Sequence, residues 1–235
     1  MKITMIGHST TWIEADGAKI LTDPYFGTWG NPAYKRLAPP AKSREACGDV
    51  DLVLVSHNHW DHVDRQFLRA LPESVPVITP KRAKWLTQLS GAKHPVGLAP
   101  WESKEFGQVT ITAVPALHPA LAGGFVIQAE GKCIYFAGDT YYGTFMDEIG
   151  HRFTIDVALI PVTTFRIPMT MGEKAAMRAV IDLEPNVVIP IHLAVQPRSP
   201  LLRTNHTPEG FARRVKGAKL AAEVVLLKEG ESWSS

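Results

Sequence analysis

Residues 56–62 concentrate three histidines and one aspartate, namely His57, His59, Asp61 and His62. Imidazole and carboxylate side chains bind zinc, manganese or iron, and no cysteine lies nearby to indicate a thiolate site. His57 and His59 can point the same way because they lie two residues apart just after a predicted strand. Asp61 and His62 enter a predicted helix and can point elsewhere. The segment therefore predicts ligands for two metal ions rather than a solvated polar loop.

Three further candidate ligands follow predicted strands elsewhere in the chain, namely His118, Asp139 and His192. Taken singly, each histidine would be interpreted as a surface or capping residue, and the aspartate as part of a turn. Strand ends that face one crevice bring their side chains together. The three positions therefore favour a site shared with residues 56–62.

Apolar runs bounded by turn residues predict the elements that must position these side chains. Predicted strands cover residues 2–6, 11–14, 19–22, 51–56, 75–79, 109–114, 125–129, 133–137, 157–160, 187–191 and 223–227. Predicted helices cover residues 61–71, 81–89, 172–183 and 209–216. The third helix lies between two apolar strands, which predicts a β-α-β unit. Residues 25–41, crowded with aromatic residues, glycine and proline, are predicted to form a loop that carries binding residues.

The length and composition are those of a folded globular protein. The chain has 235 residues, of which 45% are hydrophobic and 20% charged, enough for one large domain. We expect a single domain over residues 1–235, made of two similar halves at about 1–105 and 106–235. The two halves are suggested by residues 17–24 and 131–140, which share a glycine turn, a strand and an aspartate.

Charge and hydropathy exclude several functional classes. A formal net charge of +2 is too balanced for binding nucleic acid through charge alone. No apolar run approaches the roughly 20 residues of a membrane helix, and no apolar signal region opens the chain. We therefore expect a cytoplasmic protein without an integral membrane segment. Cys47 and Cys133 lack redox or metal-binding spacing and are expected to be free thiols.

The seven candidate ligands, in their order along the chain, resemble the five-motif pattern of the metallo-β-lactamase fold superfamily of dinuclear metal hydrolases. The resemblance covers almost the whole chain. It implies an α/β fold, a four-layer αββα sandwich in which two mixed sheets pack face to face and helices cover the outer faces. It also implies that one metal ion is held by His57, His59 and His118, that the second is held by Asp61, His62 and His192, and that Asp139 bridges both.

The same resemblance implies two divalent cations, zinc first, with manganese or iron as alternatives. Two cations roughly 3.5 to 4 Å apart share a water, lower its pKa and direct the resulting hydroxide at a bound electrophile. Asp61 and Asp139 are the predicted catalytic carboxylates, Asp139 as the bridge and Asp61 to orient the water or relay a proton. The sequence singles out no residue as the acid that protonates the leaving group, and His206 and a second metal-held water are the two candidates.

Four shorter motifs resemble one branch of this superfamily, and they lie at residues 7–10, 21–24, 56–62 and 170–172. The branch contains L-ascorbate-6-phosphate lactonases, related metal-dependent hydrolases and N-acyl-phosphatidylethanolamine-hydrolysing phospholipase D enzymes. The basic, proline-rich residues 34–40 resemble the phospholipase D side, although that group's amino-terminal extension is missing. Residues 161–165 replace a glycine-containing stretch of the lactonase relatives.

The predicted function is hydrolysis of an ester or phosphodiester, with a phospholipase D-like phosphodiesterase favoured. A lactonase acting on a phosphorylated sugar lactone is the alternative, and a non-catalytic metal-binding protein is a remote one. Di-iron oxygen or nitric oxide reductases of the same fold carry glutamate at the position of His59 and need a flavin partner, which disfavours them here. The expected partner is a small-molecule or lipid-like phosphoester, not nucleic acid.

The remaining candidate residues surround the predicted metal site. Asp23 is predicted to fix the tautomer of a ligand imidazole, and His8 to support a ligand in the same way or to cap the sheet as a structural histidine. The aromatic residues of the 25–41 loop, Tyr25, Phe26 and Trp29 together with Tyr34, are predicted to form an apolar wall for the substrate. Packing on their own domain, or at a contact in a homo-oligomer, is the alternative.

A basic segment follows His192. Arg203 and His206, with Arg198 nearby, are predicted to contact an anionic substrate, and a solvated loop is the favoured alternative.

Overall fold

A computed structural model describes residues 1–235 and contains sixteen β-strands and five α-helices. In chain order the strands are β1 (Lys2–Gly7), β2 (Thr10–Ala15), β3 (Ala18–Thr22), β4 (Tyr34–Arg36), β5 (Leu52–Leu54), β6 (Val77–Pro80), β7 (Pro95–Leu98), β8 (Ser103–Phe106), β9 (Val109–Pro115), β10 (Gly123–Ala129), β11 (Lys132–Phe136), β12 (Val157–Pro161), β13 (Val187–Ile191), β14 (Val195–Pro197), β15 (Glu223–Val224) and β16 (Ser232–Ser234). The helices are α1 (Arg65–Ala70), α2 (Lys84–Leu89), α3 (Phe145–Arg152), α4 (Glu173–Leu183) and α5 (Pro208–Gly217). Short 3-10 helices cover Glu45–Cys47, Lys81–Ala83 and Pro200–Leu202.

Two seven-stranded mixed sheets contain most of the strands. The first has the order β16-β1-β2-β3-β5-β6-β7, and the second has the order β15-β13-β12-β11-β10-β9-β8. In each sheet four antiparallel strands are followed by three that join in parallel. The two sheets thus share a pairing order, although β16, from the carboxyl end of the chain, completes the first sheet. The division into halves at about residue 105 stays a prediction.

The apolar side chains form three cores that separate four layers. One core lies between the sheets and includes Phe125 and Phe136 together with Ile13 and Leu54 of the first sheet. A second core packs α3, α4 and α5 against the outer face of the second sheet, and a third packs α1 and neighbouring loops against the first. The predicted four-layer α/β sandwich is therefore confirmed.

Local sequence accounts for the elements that lie deepest. All five residues of β12 and of β13 are buried, as expected for parallel strands covered on both faces. In α4, the helix between them, the buried residues Ala176, Ala179, Val180 and Leu183 recur at helical spacing. The predicted β-α-β unit is confirmed by the parallel pairing of the two strands.

Several predicted boundaries are corrected by the structure. The helix predicted over 61–71 begins only at Arg65, because the Asp64 side chain accepts hydrogen bonds from the Gln66 and Phe67 amides and caps it there. Asp61 and His62 therefore lie in a turn before the helix. The strand predicted over 223–227 is limited to β15.

Six elements were absent from the prediction: β4, β7, β8, β14, β16 and α3. The strands among them are short, and β8 is a polar edge strand whose first three residues are exposed. Helix α3 contains Gly150 and buries only Met146 and Ile149, so its apolar period is weak. The 25–41 loop also contains β4, because the paired strand β14 comes from far along the chain. Short edge segments of this kind depend on long-range pairing rather than on local sequence.

Both cysteines are buried free thiols, as predicted. None of the helices is sufficiently long and apolar to cross a lipid bilayer.

The inter-sheet core gives a prediction about stability. Phe125 is fully buried there, so Phe125→Ala should lower the free energy of unfolding by about 3–5 kcal/mol because it leaves a cavity. Ile181→Ala, at an exposed position of α4, is the control and should change it by less than about 1 kcal/mol. Urea unfolding followed by circular dichroism measures both values, and equal shifts would contradict the assignment of Phe125 to the main core.

Candidate metal centre

The candidate ligands converge at one edge of the sandwich. Each follows the carboxyl end of a strand, and these strands come from both sheets: β1 for His8, β3 for Asp23, β5 for residues 57–62, β9 for His118, β11 for Asp139 and β13 for His192. Most of these side chains are buried.

Three histidines form the first group of potential ligands. One nitrogen each from His57, His59 and His118 lies within 4.8 Å of the others. The His118 Nδ1 lies 2.9 Å from the Met169 carbonyl oxygen, to which it can only donate, and this leaves Nε2 as the acceptor. His118 Nε2 lies 3.2 Å from His59 Nδ1. One nitrogen of each ring is therefore close enough to the others to bind the same cation.

The second group contains an aspartate and three histidines. His8, Asp61, His62 and His192 place one ligand atom each within 4.8 Å of the others. His8 Nε2 lies 3.4 Å from Asp61 Oδ2, and the His8 ring lies 4.1 Å from the His192 ring, centroid to centroid. His8 thus joins the ligands themselves, and neither of its buried nitrogens has a hydrogen-bond partner in the protein.

Asp139 lies between the two groups. Its Oδ2 is 3.9 Å from His57 Nε2 and 4.0 Å from His118 Nε2, both in the first group. On the other side, its carboxylate is 3.1 Å from His192 Nε2 and 3.4 Å from His62 Nε2. One carboxylate is therefore within reach of ligands from both groups.

Asp23 orients two of the candidate ligands through hydrogen bonds. It is fully buried and accepts hydrogen bonds from the Ser56 amide at 2.7 Å and from the Ser56 hydroxyl at 2.6 Å. Its Oδ2 is also 2.6 Å from His62 Nδ1, which donates to it. Because the Ser56 hydroxyl donates to Asp23, the His57 Nδ1 donates to the Ser56 oxygen at 3.0 Å. These bonds leave Nε2 of His57 and Nε2 of His62 facing the site.

The backbone is strained at three of these strand ends. His8, Asp23 and His192 have φ values of 62°, 33° and 63°, in the left-handed region that non-glycine residues rarely adopt. At Gly138, beside Asp139, φ is 56°, and a Cβ would lie 2.4 Å from the Ser56 Cβ. Such strain costs of order 1–3 kcal/mol per residue and clusters at functional sites.

Burial and neighbouring charge set the protonation of the ligands. Burial lowers the pKa of His57 well below its ordinary value, lowers that of His59, and lowers that of His118 to about 4, so the first group is neutral at pH 7. His62 behaves oppositely. Burial alone would lower its pKa, but the carboxylates of Asp139 and Asp23 outweigh burial and raise it well above its ordinary value.

The carboxylates are ionised. Burial would raise the pKa of Asp61, but the close contact with His8 Nε2, 3.4 Å from Asp61 Oδ2, and the positive charge at His62 lower it. In the same way, His192 and His62 hold the pKa of Asp139 well below its ordinary value against the effect of burial. Burial and the neighbouring His192 lower the pKa of His8 to about 3.

A cleft of about 150 Å³ opens over the ligands. Besides His59, Asp61, Asp139 and His192, it is lined by Tyr34, Trp60, Phe165 and Met169. The Tyr34 ring lies between two others, 5.5 Å from Phe165 and 6.2 Å from Trp60. No lysine or arginine lines the cleft.

A two-stranded strap, residues 34–36 of β4 paired with residues 195–197 of β14, holds Tyr34 in place. Arg36 of the strap is buried and donates hydrogen bonds to the carbonyl oxygens of Tyr25 and Gly27, both at 3.0 Å. The strap therefore ties the 25–41 loop to the segment that follows His192.

The predicted aromatic wall is corrected in its membership. Phe26 does not line the cleft, because its ring packs 5.1 Å from Phe67 in the outer core of the first sheet. Tyr25 is buried behind Trp60, at a ring distance of 5.5 Å, and Trp29 is 65% exposed beneath Arg198. Tyr34 lines the cleft as expected.

Sequence reasoning missed Trp60, Phe165 and Met169 as cleft residues. Trp60 lies between the candidate ligands His59 and Asp61 in the sequence, and this position indicates that it lies near the site. Phe165 and Met169 lie in a segment far from any ligand in sequence.

Arg203 and His206 line a different cavity, of about 260 Å³, which shares only Phe165 with the metal cleft. The Arg203 guanidinium donates to the carbonyl oxygens of Pro197 and Arg198, so two of its donors are already used. The predicted contact of these residues with a substrate at the ligands is therefore not supported by their placement.

Comparison with known proteins identifies the family. A profile described as a β-lactamase superfamily domain matches residues 2–192. A UPF0173 metal-dependent hydrolase of Methanopyrus kandleri is 33% identical, over 99% of both chains. The chain belongs to the UPF0173 metal-dependent hydrolases of the metallo-β-lactamase superfamily.

Solved structures show the same fold for this hydrolase. Igni18, a metallo hydrolase from Ignicoccus hospitalis, matches with a TM-score of 0.79 and 27% identity, over 100% of this chain and 98% of that one. The metallo-β-lactamase fold protein YhfI of Bacillus subtilis matches with a TM-score of 0.72 and 16% identity, over 100% and 98% of the two chains.

The ligand cluster of the hydrolase fits divalent cations. His57 Nε2, His62 Nε2 and Asp139 Oδ1 are buried and have no hydrogen-bond partner in the protein. An unpaired buried polar atom costs about 1–3 kcal/mol, and a bound cation removes that cost. The nitrogen and oxygen donors, without sulfur, suit zinc, manganese or iron.

The charge on His62 predicts proton release on metal binding. Because the pKa of His62 is raised well above its ordinary value, this imidazole is protonated at pH 7 and must lose a proton to bind a cation. We expect zinc to release about one proton, measured by isothermal titration calorimetry in buffers of different ionisation enthalpy. The release should decrease as the pH rises through the pKa of His62.

Asp23→Asn should lower the pKa of His62 and so reduce this release. Asp49→Asn, at an exposed aspartate that pairs with Lys19, is the control and should leave it unchanged. Equal release from both variants would contradict the role given to Asp23.

Proposed function

We propose that this hydrolase cleaves phosphodiesters with an apolar substituent, in the manner of a phospholipase D. The observation that carries the proposal is the cleft itself. Its floor consists of ionised carboxylates and histidines, its walls are Tyr34, Trp60, Phe165 and Met169, and it contains no lysine or arginine. Such a site suits a substrate whose only charge lies at the reacting group.

Two divalent cations fit the two ligand groups. His57, His59 and His118 would hold one, Asp61, His62 and His192 the other, and Asp139 would contact both. Zinc is the first expectation, with manganese and iron as alternatives. When bound, the cations would polarise the reacting oxygen and lower the pKa of water towards neutrality.

The side chains then have separate tasks. Asp61 is ionised and its pKa is lowered, so it is a weak base that orients a water by accepting a hydrogen bond. Its second contact, with His8 Nε2 at 3.4 Å, fixes the direction of the carboxylate. His206 lines another cavity, which leaves the Tyr34 hydroxyl and the Trp60 indole as donors in the cleft outside the ligands.

Charge separates the proposed substrate from a phosphorylated sugar lactone. A lactone of that kind carries a phosphate remote from the reacting carbonyl, and binding it calls for a cationic side chain in the cleft. None lines it, and Arg203 already donates to two backbone carbonyls. A phosphodiester carries a single negative charge at the reacting phosphorus, where the ligand groups converge.

The activity test is metal-dependent hydrolysis of bis(p-nitrophenyl) phosphate by protein loaded separately with zinc, manganese or iron. We expect turnover with at least one metal and its loss in His59→Ala, whose metal content should fall from about two ions per chain to about one. His151→Ala, at an exposed histidine of α3, is the matched control and should retain turnover.

A loaded protein that is inert towards phosphodiesters but opens a phosphorylated lactone would favour the lactonase. A metal-loaded protein that hydrolyses neither substrate would favour the hypothesis of a non-catalytic metal-binding protein.

The aromatic walls predict a separable effect on substrate binding. Phe165→Ala should raise KM for bis(p-nitrophenyl) phosphate about tenfold and leave metal content unchanged, because Phe165 lines the cleft without being a candidate ligand. Leu201→Ala, at a 75% exposed position outside the cleft, is the control. A Phe165→Ala enzyme with wild-type KM would show that the walls do not contact the substrate.

A further inference from the structure

A second cavity, of about 480 Å³, lies at the edge of the sandwich and is larger than the metal cleft. This edge cavity opens where β6, β7 and β9 end and β10 begins, between the two sheets. No residue lines both the edge cavity and the metal cleft. Its volume lies within the range of about 300–1,000 Å³ that is typical of small-molecule sites.

Most of the side chains that line the edge cavity are apolar. Apart from two basic residues, every lining residue is alanine, leucine, valine, proline or glycine, and no acidic side chain is among them. Leu98, Ala113 and Val114 form its buried part, and Leu121 stands at its exposed part. Walls of this kind bind an aliphatic or aromatic body by removing its surface from water.

The two basic residues, Lys81 and Arg82, lie in the 3-10 helix that leads into α2. Both are exposed, and neither makes an ion pair or a side-chain hydrogen bond within the protein. Both are therefore free to pair with an anionic group at the exposed part of the cavity. The edge cavity is therefore complementary to a molecule with an apolar body and an anionic head.

The edge cavity lies behind the loop that carries His118. Ala116 and Ala120 of this loop line the cavity, whereas His118 points to the metal centre and bonds to Met169. The two sites are therefore on opposite sides of one loop and can be tested separately.

We propose that the edge cavity binds an anionic amphiphile, an alkyl carboxylate, with the chain against the apolar walls and the carboxylate on Lys81 and Arg82. The guanidinium of Arg82 can pair with both carboxylate oxygens at once. This site is independent of the proposed phosphodiesterase activity.

Calorimetric titration with decanoate, below its micelle concentration, tests the proposal on the full chain, both free of metal and loaded with zinc. We expect one decanoate per chain, with and without metal, and about tenfold weaker binding of decanol, which lacks the charge. Because the metal-free protein is included, failure of the phosphodiesterase assay would not affect the result.

Three variants locate the ligand. Arg82→Glu should weaken decanoate binding about tenfold, whereas Lys84→Glu, the same charge change at an exposed residue of α2 that does not line the cavity, should leave it unchanged. Ala99→Phe should fill the cavity and abolish binding, with its Tm measured to establish that it folds. Phe165→Ala, in the metal cleft, should bind decanoate as the wild type does.

The proposal is overturned if wild-type protein shows no saturable binding, or if Arg82→Glu and Lys84→Glu bind equally well. It is also overturned if a folded Ala99→Phe protein binds as the wild type does, or if Phe165→Ala abolishes binding, which would put decanoate in the metal cleft.

Discussion

The buried carboxylate of Asp23 is the contact from which the metal centre is organised. It accepts two hydrogen bonds from Ser56 and one from His62, and Ser56 in turn accepts one from His57. A single anion thus orients one histidine from each ligand group. A fully buried carboxylate is stable only when its oxygens are satisfied in this way, so its removal would disturb both groups together.

The sandwich determines where this network can form. Both sheets deliver strand ends to the same edge, and three residues there accept left-handed backbone conformations to turn their side chains inward. The packed core between the sheets stabilises these conformations, because the strands on either side of each turn are buried. The packed core therefore compensates for the backbone strain at the site. At Gly138, the neighbouring Ser56 side chain leaves no room for a Cβ, so only glycine fits there.

The walls of the cleft depend on contacts between distant parts of the chain. Tyr34 reaches the cleft because β4 pairs with β14, about 160 residues later, and because Arg36 holds the intervening loop against the body of the protein. The metal chemistry and the choice of substrate thus have different structural origins. The potential metal ligands lie at the ends of core strands. The residues that line the cleft lie on the strap and on loops, which can vary without changing the core.

The sequence by itself determined the sandwich, the β-α-β unit, the free thiols and the set of potential ligands. The sandwich is implied by the resemblance to the metallo-β-lactamase superfamily, whereas the β-α-β unit and the potential ligands follow from local information, since apolar runs mark buried strands, and histidine and aspartate follow the carboxyl ends of those strands. The structure brings the seven candidate ligands together as two groups with Asp139 between them.

Only the tertiary structure decided which neighbouring side chains face the site. His8 joins the group of Asp61, Phe26 turns into the outer core, and Arg203 is held by backbone carbonyls. Phe165 and Met169 line the cleft, although the neighbouring residues 161–165 and 170–172 were noted only for their family resemblance and not as part of a site. The direction of a side chain in a loop depends on contacts with residues far away in the chain, and no local pattern encodes those contacts.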